Sequence, residues 1–258
     1  MKTLKISTLL VALASVFTFS SCLDESEDSS LPAYTSYVTI AGDAAFGYTF
    51  YSDFGCTLKP TASSIQTVLP GLSTSNVKRA LVAFNLLNEA EQGQALVAGK
   101  TYDIELGQSY YANYAIPTYQ SIEISHNSAA ADTLTTKNEM INTIDKNIWA
   151  INGYVNAQLT INYDQSKPFY LNTYYDREKD IDPETSTLYL NLYFNNNSTN
   201  DYYQGTSVFS FDLPDDAAFE FMTDSVNVVL RAINTHDNQL MEVGKCRMGI
   251  DDFFVPSF

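Results

Sequence analysis

The sequence predicts an all-β protein, built as a barrel or sandwich in two lobes. Three observations carry this. Period-two runs of apolar and β-branched residues recur from Tyr34 to the C-terminus. Turn residues separate them at short, regular spacing. Helix signals are few; Asp215 and Asp216 before Ala217–Met222 could cap one short turn, and Asn76 could start another. The 258 residues suit one large domain or two small ones. With 30 acidic against 14 basic residues the net charge is −16, which argues against nucleic acid as a partner, because phosphate binding needs clustered Lys and Arg. Eighteen Tyr and 15 Phe, with only 17% charged residues, give enough apolar surface for a core.

In chain order, Lys2 and Lys5 form a positive start, and Ile6–Phe19 is apolar apart from Ser and Thr. That run is shorter than the roughly 20 residues a membrane-spanning helix needs. Residues 1–21 therefore read as a secretory signal, and Cys22, directly after Ser20 and Ser21, as the acylated cysteine of a lipoprotein. The alternative is an ordinary signal with Cys22 a plain thiol. Cleavage before Cys22 would remove two lysines and no acid, taking the charge from −16 to −18. Two or three acyl chains, at about 0.8 kcal/mol per buried CH₂, make a stable anchor. Residues 22–34, with Asp24, Glu25, Glu27 and Asp28 among serines, read as a solvated tether. The run also resembles the acidic tag that sends some lipoproteins to the outer leaflet. The expected location is thus the outer membrane, facing outward.

Strands follow at Tyr37–Ile40, Tyr48–Tyr51 and Cys56–Leu58, the last two joined by the turn Ser52-Asp53-Phe54-Gly55. Ala80–Leu87 is continuous enough to be buried on both faces, and Tyr102–Leu106 alternates cleanly. Tyr119–Ile124 reads as one further strand. Asn127–Asn147 is polar and without period, and the domain boundary is placed inside it, giving lobes of 35–140 and 141–258. The second lobe shows strands at Ile148–Ala150, Val155–Tyr163, Phe169–Tyr175, Leu188–Phe194, Thr206–Leu213 and Val226–Ile233, with Val243–Met248 a further candidate.

Constellations for chemistry are sparse. His126 and His236 lack a nearby activated nucleophile, and no Gly-x-Ser-x-Gly occurs. Asp176–Glu184 alternates acids as a calcium loop does, yet Ile181 stands where an EF-hand has Gly and Thr187 where it has Glu. Arg177 and Lys179 make it a solvated, internally paired loop. Cys22, Cys56 and Cys246 are too scattered for zinc. Cys56 and Cys246 could form a disulfide between the lobes, which needs Cα atoms within about 7 Å; the alternative is two buried thiols. No metal, cofactor or catalytic residue is expected. Of the pairs Tyr110-Tyr111, Tyr174-Tyr175 and Tyr202-Tyr203, one member should face outward, so Tyr111, Tyr175 and Tyr203 are candidates for stacking on a sugar ring or a protein partner. The plainer reading is edge packing. Thr133 in Asp132-Thr133-Leu134 and Ser225 in Asp224-Ser225-Val226 resemble acceptors of bacterial O-glycosylation.

Taken in order, several segments resemble the NigD-like lipoproteins. They are Tyr48–Leu58 and Lys78–Phe84 in the first half, then Asn147–Tyr154, Val155–Tyr163, Leu188–Tyr193, Val208–Leu213 and Asp224–Val226. The resemblance implies an N-terminal OB-type barrel followed by a C-terminal β-sandwich. The family's Arg-His-Asn strand ending is here Tyr193-Phe194-Asn195, so no site is carried over to it. The expected role is non-enzymatic binding or adaptor work on a protein or glycan partner, with the membrane reached through the lipid anchor. A bacteriocin-associated accessory or immunity role, implied by the family name, is one alternative. A carbohydrate-active enzyme, whose paired carboxylates would be set by space rather than sequence, is the other.

Overall fold

The computed structural model describes residues 32–70, 72, 77–109, 112–124, 138–139, 141, 143–145, 147–198, 203–233 and 239–256. Leu31–Phe258 form one compact unit with two cores. The chain is all-β, an OB-like barrel followed by a β-sandwich.

The barrel contains β1 (Tyr34–Asp43), β2 (Gly47–Ser52), β3 (Thr57–Pro60), β4 (Arg79–Leu86), β5 (Thr101–Leu106) and the short β6 (Tyr114–Ala115). Its order is β1-β2-β3-β5-β4, and β4 pairs back to β1, closing a five-strand ring with β6 appended to β4. Closure depends on β1, whose Val38 and Thr39 pair on one side with Ser52 and Tyr51 and on the other with Ala80 and Arg79. No strand of the ring is left with an open edge, which removes the usual route to edge-to-edge association. Alternation fills the inside: Tyr102, Ile104 and Leu106 are buried while Thr101, Asp103 and Glu105 are exposed. They meet Val38, Phe50, Leu58, Val82 and Phe84.

A helix that the sequence pattern does not announce, α1 (Ala62–Val68), follows β3. Thr61 caps it by accepting the Ser64 N–H at 3.3 Å. Ile65 and Leu72 then join the barrel core.

The sandwich draws on β7 (Thr118–Tyr119), β8 (Ser121–Ile124), β9 (Thr143–Ile144), β10 (Trp149–Ile151), β11 (Tyr154–Tyr163), β12 (Tyr170–Asp176), β13 (Ile181–Asp182), β14 (Thr187–Asn195), β15 (Tyr203–Asp212), β16 (Ser225–Ile233) and β17 (Leu240–Gly249). One sheet runs β10-β11-β15-β7 with β9 on β11; the other runs β17-β16-β14-β12-β8 with β13 on β14. Val155, Ala157, Leu159 and Ile161 of β11 face the same core as Leu188, Leu190, Leu192 and Phe194 of β14. Asp215–Glu220 and Ile250–Phe253 form 3-10 turns, the first at the place where the sequence suggests a short turn.

Two expectations change here. The run Tyr119–Ile124 is not one strand: β7 pairs with β15, whereas β8 pairs with β12 in the opposite sheet. The barrel was also expected to extend to residue 140, but residues 118–124 already belong to the sandwich sheets, and β6, ending at Ala115, is the last barrel strand.

Asp176–Glu184 is solvated and internally paired only in part: Glu178, Lys179, Pro183 and Glu184 are exposed and Lys179 meets Asp176 at 3.7 Å, but the segment is not a plain loop. Asp176 caps a short helix, α2 (Arg177–Asp180), by accepting from the Glu178 N–H. Asp180 is buried and takes Arg231, the Asn191 amide and the Asp176 N–H. This network lies on β14 and β16 through Asn191 and Arg231, and β14 is buried along most of its length.

Candidate functional site

Five of the sequence segments singled out above meet at one point between the lobes. Arg79 opens β4 and is fully buried. Its Nη1 and Nη2 donate to the two Asp53 carboxylate oxygens, both at 2.7 Å. Nη1 also donates to Thr39 Oγ1 at 2.9 Å, Nη2 to Asn156 Oδ1 at 2.9 Å and Nε to Ser210 Oγ at 3.4 Å. All five guanidinium N–H groups therefore have an acceptor, the condition for burying this charge at all. Asp53 in turn accepts from the Trp149 indole Nε1 at 2.6 Å. Tyr154 places its ring 5.4 Å from the guanidinium carbon, and Tyr37 packs at 5.4 Å from Trp149. Thr39, Asp53 and Arg79 come from the barrel; Trp149, Tyr154, Asn156 and Ser210 come from the sandwich. The arrangement is a clasp. It joins the two lobes through one buried ion pair and its hydrogen bonds.

Next to the clasp, Gly153 ties the β10–β11 turn to the C-terminal segment. Its N–H donates to the Asp252 carbonyl at 2.7 Å, and its own carbonyl accepts from Leu213 at 2.8 Å. With φ at +82°, an added Cβ would lie 2.6 Å from Val255 Cγ2 and 2.9 Å from the Val255 nitrogen. Only glycine fits there.

Beyond it lies a groove of about 410 Å³ between the two 3-10 turns. Ile250 and Phe221 form its floor, with Phe221 tilted against the buried Phe253 at 6.1 Å between ring centres. Phe219 and Phe254 pair at 6.2 Å along its wall. Phe219 is 80% exposed and Met222 98%, the largest such apolar exposure in the sandwich. Asp224 lines the groove, and the two turns that bound it carry further acids, Asp215, Asp216 and Glu220 on the first and Asp251 and Asp252 on the second. Among the described residues their ion pairs run to Arg177, which bridges Asp216 at 2.8 Å and Glu220 at 2.7 Å. Burial pushes the Asp215 carboxyl above its ordinary range, and Asp216 adds to this. Burial does the same for Asp252.

The residues expected to be functional distribute as follows. Cys22, Tyr111, Thr133, His126 and His236 lie outside the described residues. Tyr203 is 45% exposed and packs at 5.9 Å from Tyr163. Tyr175 does not face outward: both it and Tyr174 are buried, because β12 is covered on both faces. The Tyr175 hydroxyl donates to Glu123 at 3.2 Å, and burial beside Asp216 and Glu123 raises its pKa. Ser225 is half-buried and accepts from Arg247 Nε at 3.0 Å and Nη2 at 2.6 Å, so its hydroxyl is engaged. Cys56 and Cys246 are free thiols rather than a disulfide. They belong to different cores, Cys56 in the barrel and Cys246 against the sandwich. Burial raises the Cys56 pKa and pushes Cys246 up to about 12, which leaves both unreactive at neutral pH. No helix among the described residues is long and apolar enough to cross a membrane.

A closed OB-type barrel clasped to a two-sheet sandwich defines the class of protein. Within that class the second lobe is specific: residues 121–242 match the family model of the NigD-like C-terminal beta sandwich domain. Solved structures share the fold. A toxin-related protein from Parabacteroides distasonis is 19% identical, with 85% of this chain and 94% of that one aligned at a TM-score of 0.57. A NigD-like immunity protein from Bacteroides caccae is 16% identical over 84% and 93%, at 0.53. A lipoprotein from Bacteroides fragilis is 11% identical over 84% and 97%, also at 0.53. No curated protein matches the chain.

Proposed function

We propose that this chain is an outer-membrane lipoprotein that binds a protein partner without catalysis, in an immunity-type role. Cys22 carries the lipid, the acidic residues that follow it up to the start of β1 at Tyr34 hold the body off the bilayer, and the two clasped lobes face outward. The observation that carries the binding role is the apolar groove at the end of the NigD-like domain, where Phe219 and Met222 stand in water. Exposed aromatic and Met side chains in a concave, polar-rimmed setting are typical of surfaces that a partner covers. The immunity-type reading is supported by the names of two proteins sharing the fold, a toxin-related protein and a NigD-like immunity protein. Placement at the membrane is supported by the leader and by the lipoprotein with the same fold.

Cross-linking on intact cells followed by capture of the tagged full chain tests the role, with proteins and glycans identified together. A secreted protein or peptide as the dominant partner is the expected result. Glycan alone, or turnover of a captured glycan, would contradict it.

A further inference from the structure

The groove's surroundings indicate what kind of partner it takes. Its wall and floor are apolar, made by Phe219, Met222, Phe254, Phe221 and Ile250. Asp224 is in its lining, and the turns on either side carry Asp215 and Asp251, in addition to the pair bridged by Arg177. A partner that fills such a groove must bring an apolar stripe and, flanking it, positive charge. We infer that the groove binds a cationic amphipathic peptide segment, whose apolar residues cover Phe219 and Met222 while Lys or Arg side chains meet the acidic rim. This inference rests on the binding reading above and narrows it to one ligand chemistry.

Charge decides against the other occupants. A second copy of this chain would set one acidic rim against another on bodies of formal charge −16, and like charges brought together at an interface cost affinity. An anionic lipid surface is repelled for the same reason. An amphipathic cationic segment satisfies both halves of the site, since a helix presents apolar residues at three- and four-residue spacing and charges beside them.

Photo-cross-linking tests this with the full chain in neutral detergent. The probe is a synthetic Leu/Lys amphipathic peptide carrying one benzophenone, and the control is the same peptide with Glu for Lys. Mass mapping of the adducts should place the Leu/Lys label on Met222 or Phe219. The Phe219→Ser variant should lower the yield about tenfold, whereas Phe46→Ser, at the exposed tip of the barrel hairpin, should leave it unchanged. Labelling of Met222 by the Glu peptide at equal yield would overturn the inference, as would adducts at Phe46. So would a dimer in solution that Phe219→Ser converts to monomer, because the groove would then be a self-interface. If cells still yield a protein partner while Met222 stays unlabelled, the ligand chemistry is refuted and the binding role stands.

Discussion

Removing the acid of the clasp is the sharpest test of how the lobes are joined. Asp53→Ala would leave Arg79 fully buried with its two 2.7 Å carboxylate bonds gone and the Trp149 indole N–H without its acceptor. The remaining acceptors, Thr39, Asn156 and Ser210, are neutral and cannot balance the charge. Breaking a buried pair by removing one partner costs about 3–5 kcal/mol, against a total stability on the order of 5–15 kcal/mol for a domain of this kind. For a body of this size, each kcal/mol shifts Tm by about 2–4 °C, so the variant should melt roughly 6–20 °C lower. Trp149 is the only tryptophan, so its emission reports directly on the clasp. Urea unfolding followed by Trp emission and by circular dichroism gives both the energy and the cooperativity. Asp53→Asn keeps an oxygen for the indole and should lose less than Asp53→Ala. A loss below about 1 kcal/mol with unchanged Trp emission would refute the clasp as the element joining the lobes.

Other outcomes follow from the same structure. Gly153→Ala combines a Cβ contact of 2.6 Å with φ of +82°, and should destabilise by about 1–3 kcal/mol in the same unfolding assay. Asp180→Ala strips Arg231 and Asn191 of a buried acceptor and should cost about 1–3 kcal/mol, read as a lower urea midpoint at unchanged m-value. Asp212 has its pKa raised by burial, so the native state holds its proton more tightly than the unfolded chain, whose Asp titrates near 3.9. Stability must therefore fall as pH rises from the unfolded value through the folded one; Asp212→Asn should remove that part of the slope and raise the urea midpoint at pH 7. Cys22→Ser should abolish incorporation of a palmitate analogue and release the chain from membranes, scored by fractionation.

What was legible in the sequence was the local pattern. Tyr102–Leu106 alternates because one face meets the barrel core and the other meets water. Ala80–Leu86 reads as continuous because both faces of β4 are largely covered: Ala80, Val82, Phe84 and Leu86 enter the barrel core, and on the other face Ala83 is buried and Leu81 and Asn85 are half-buried, while Leu87, just past the strand, is exposed. Helix α1 was hidden because Ser63, Ser64, Thr67 and Val68 are weak helix formers; the Thr61 cap and the packing of Ile65 override them. Pairing partners were beyond reach. Gln120 separates β7 from β8, and nothing local tells that the two residues before it and the four after it join different sheets. The clasp was visible only as five separate segments resembling one family. Asp53 and Trp149 lie 96 positions apart, so their contact is a property of the fold. Tyr175 was misread because the rule that neighbours in a strand face opposite ways says nothing about whether both faces are covered.

Survival under challenge tests the proposed role most directly. The source strain, its gene deletion, and deletions complemented with the native chain or with Cys22→Ser would be exposed to culture supernatants of competing strains. An envelope-anchored immunity-type binder predicts that the deletion dies where the source strain survives, that the native chain restores survival and that the Cys22→Ser chain does not. Equal survival of all four strains, against every supernatant that kills unrelated cells, would contradict it.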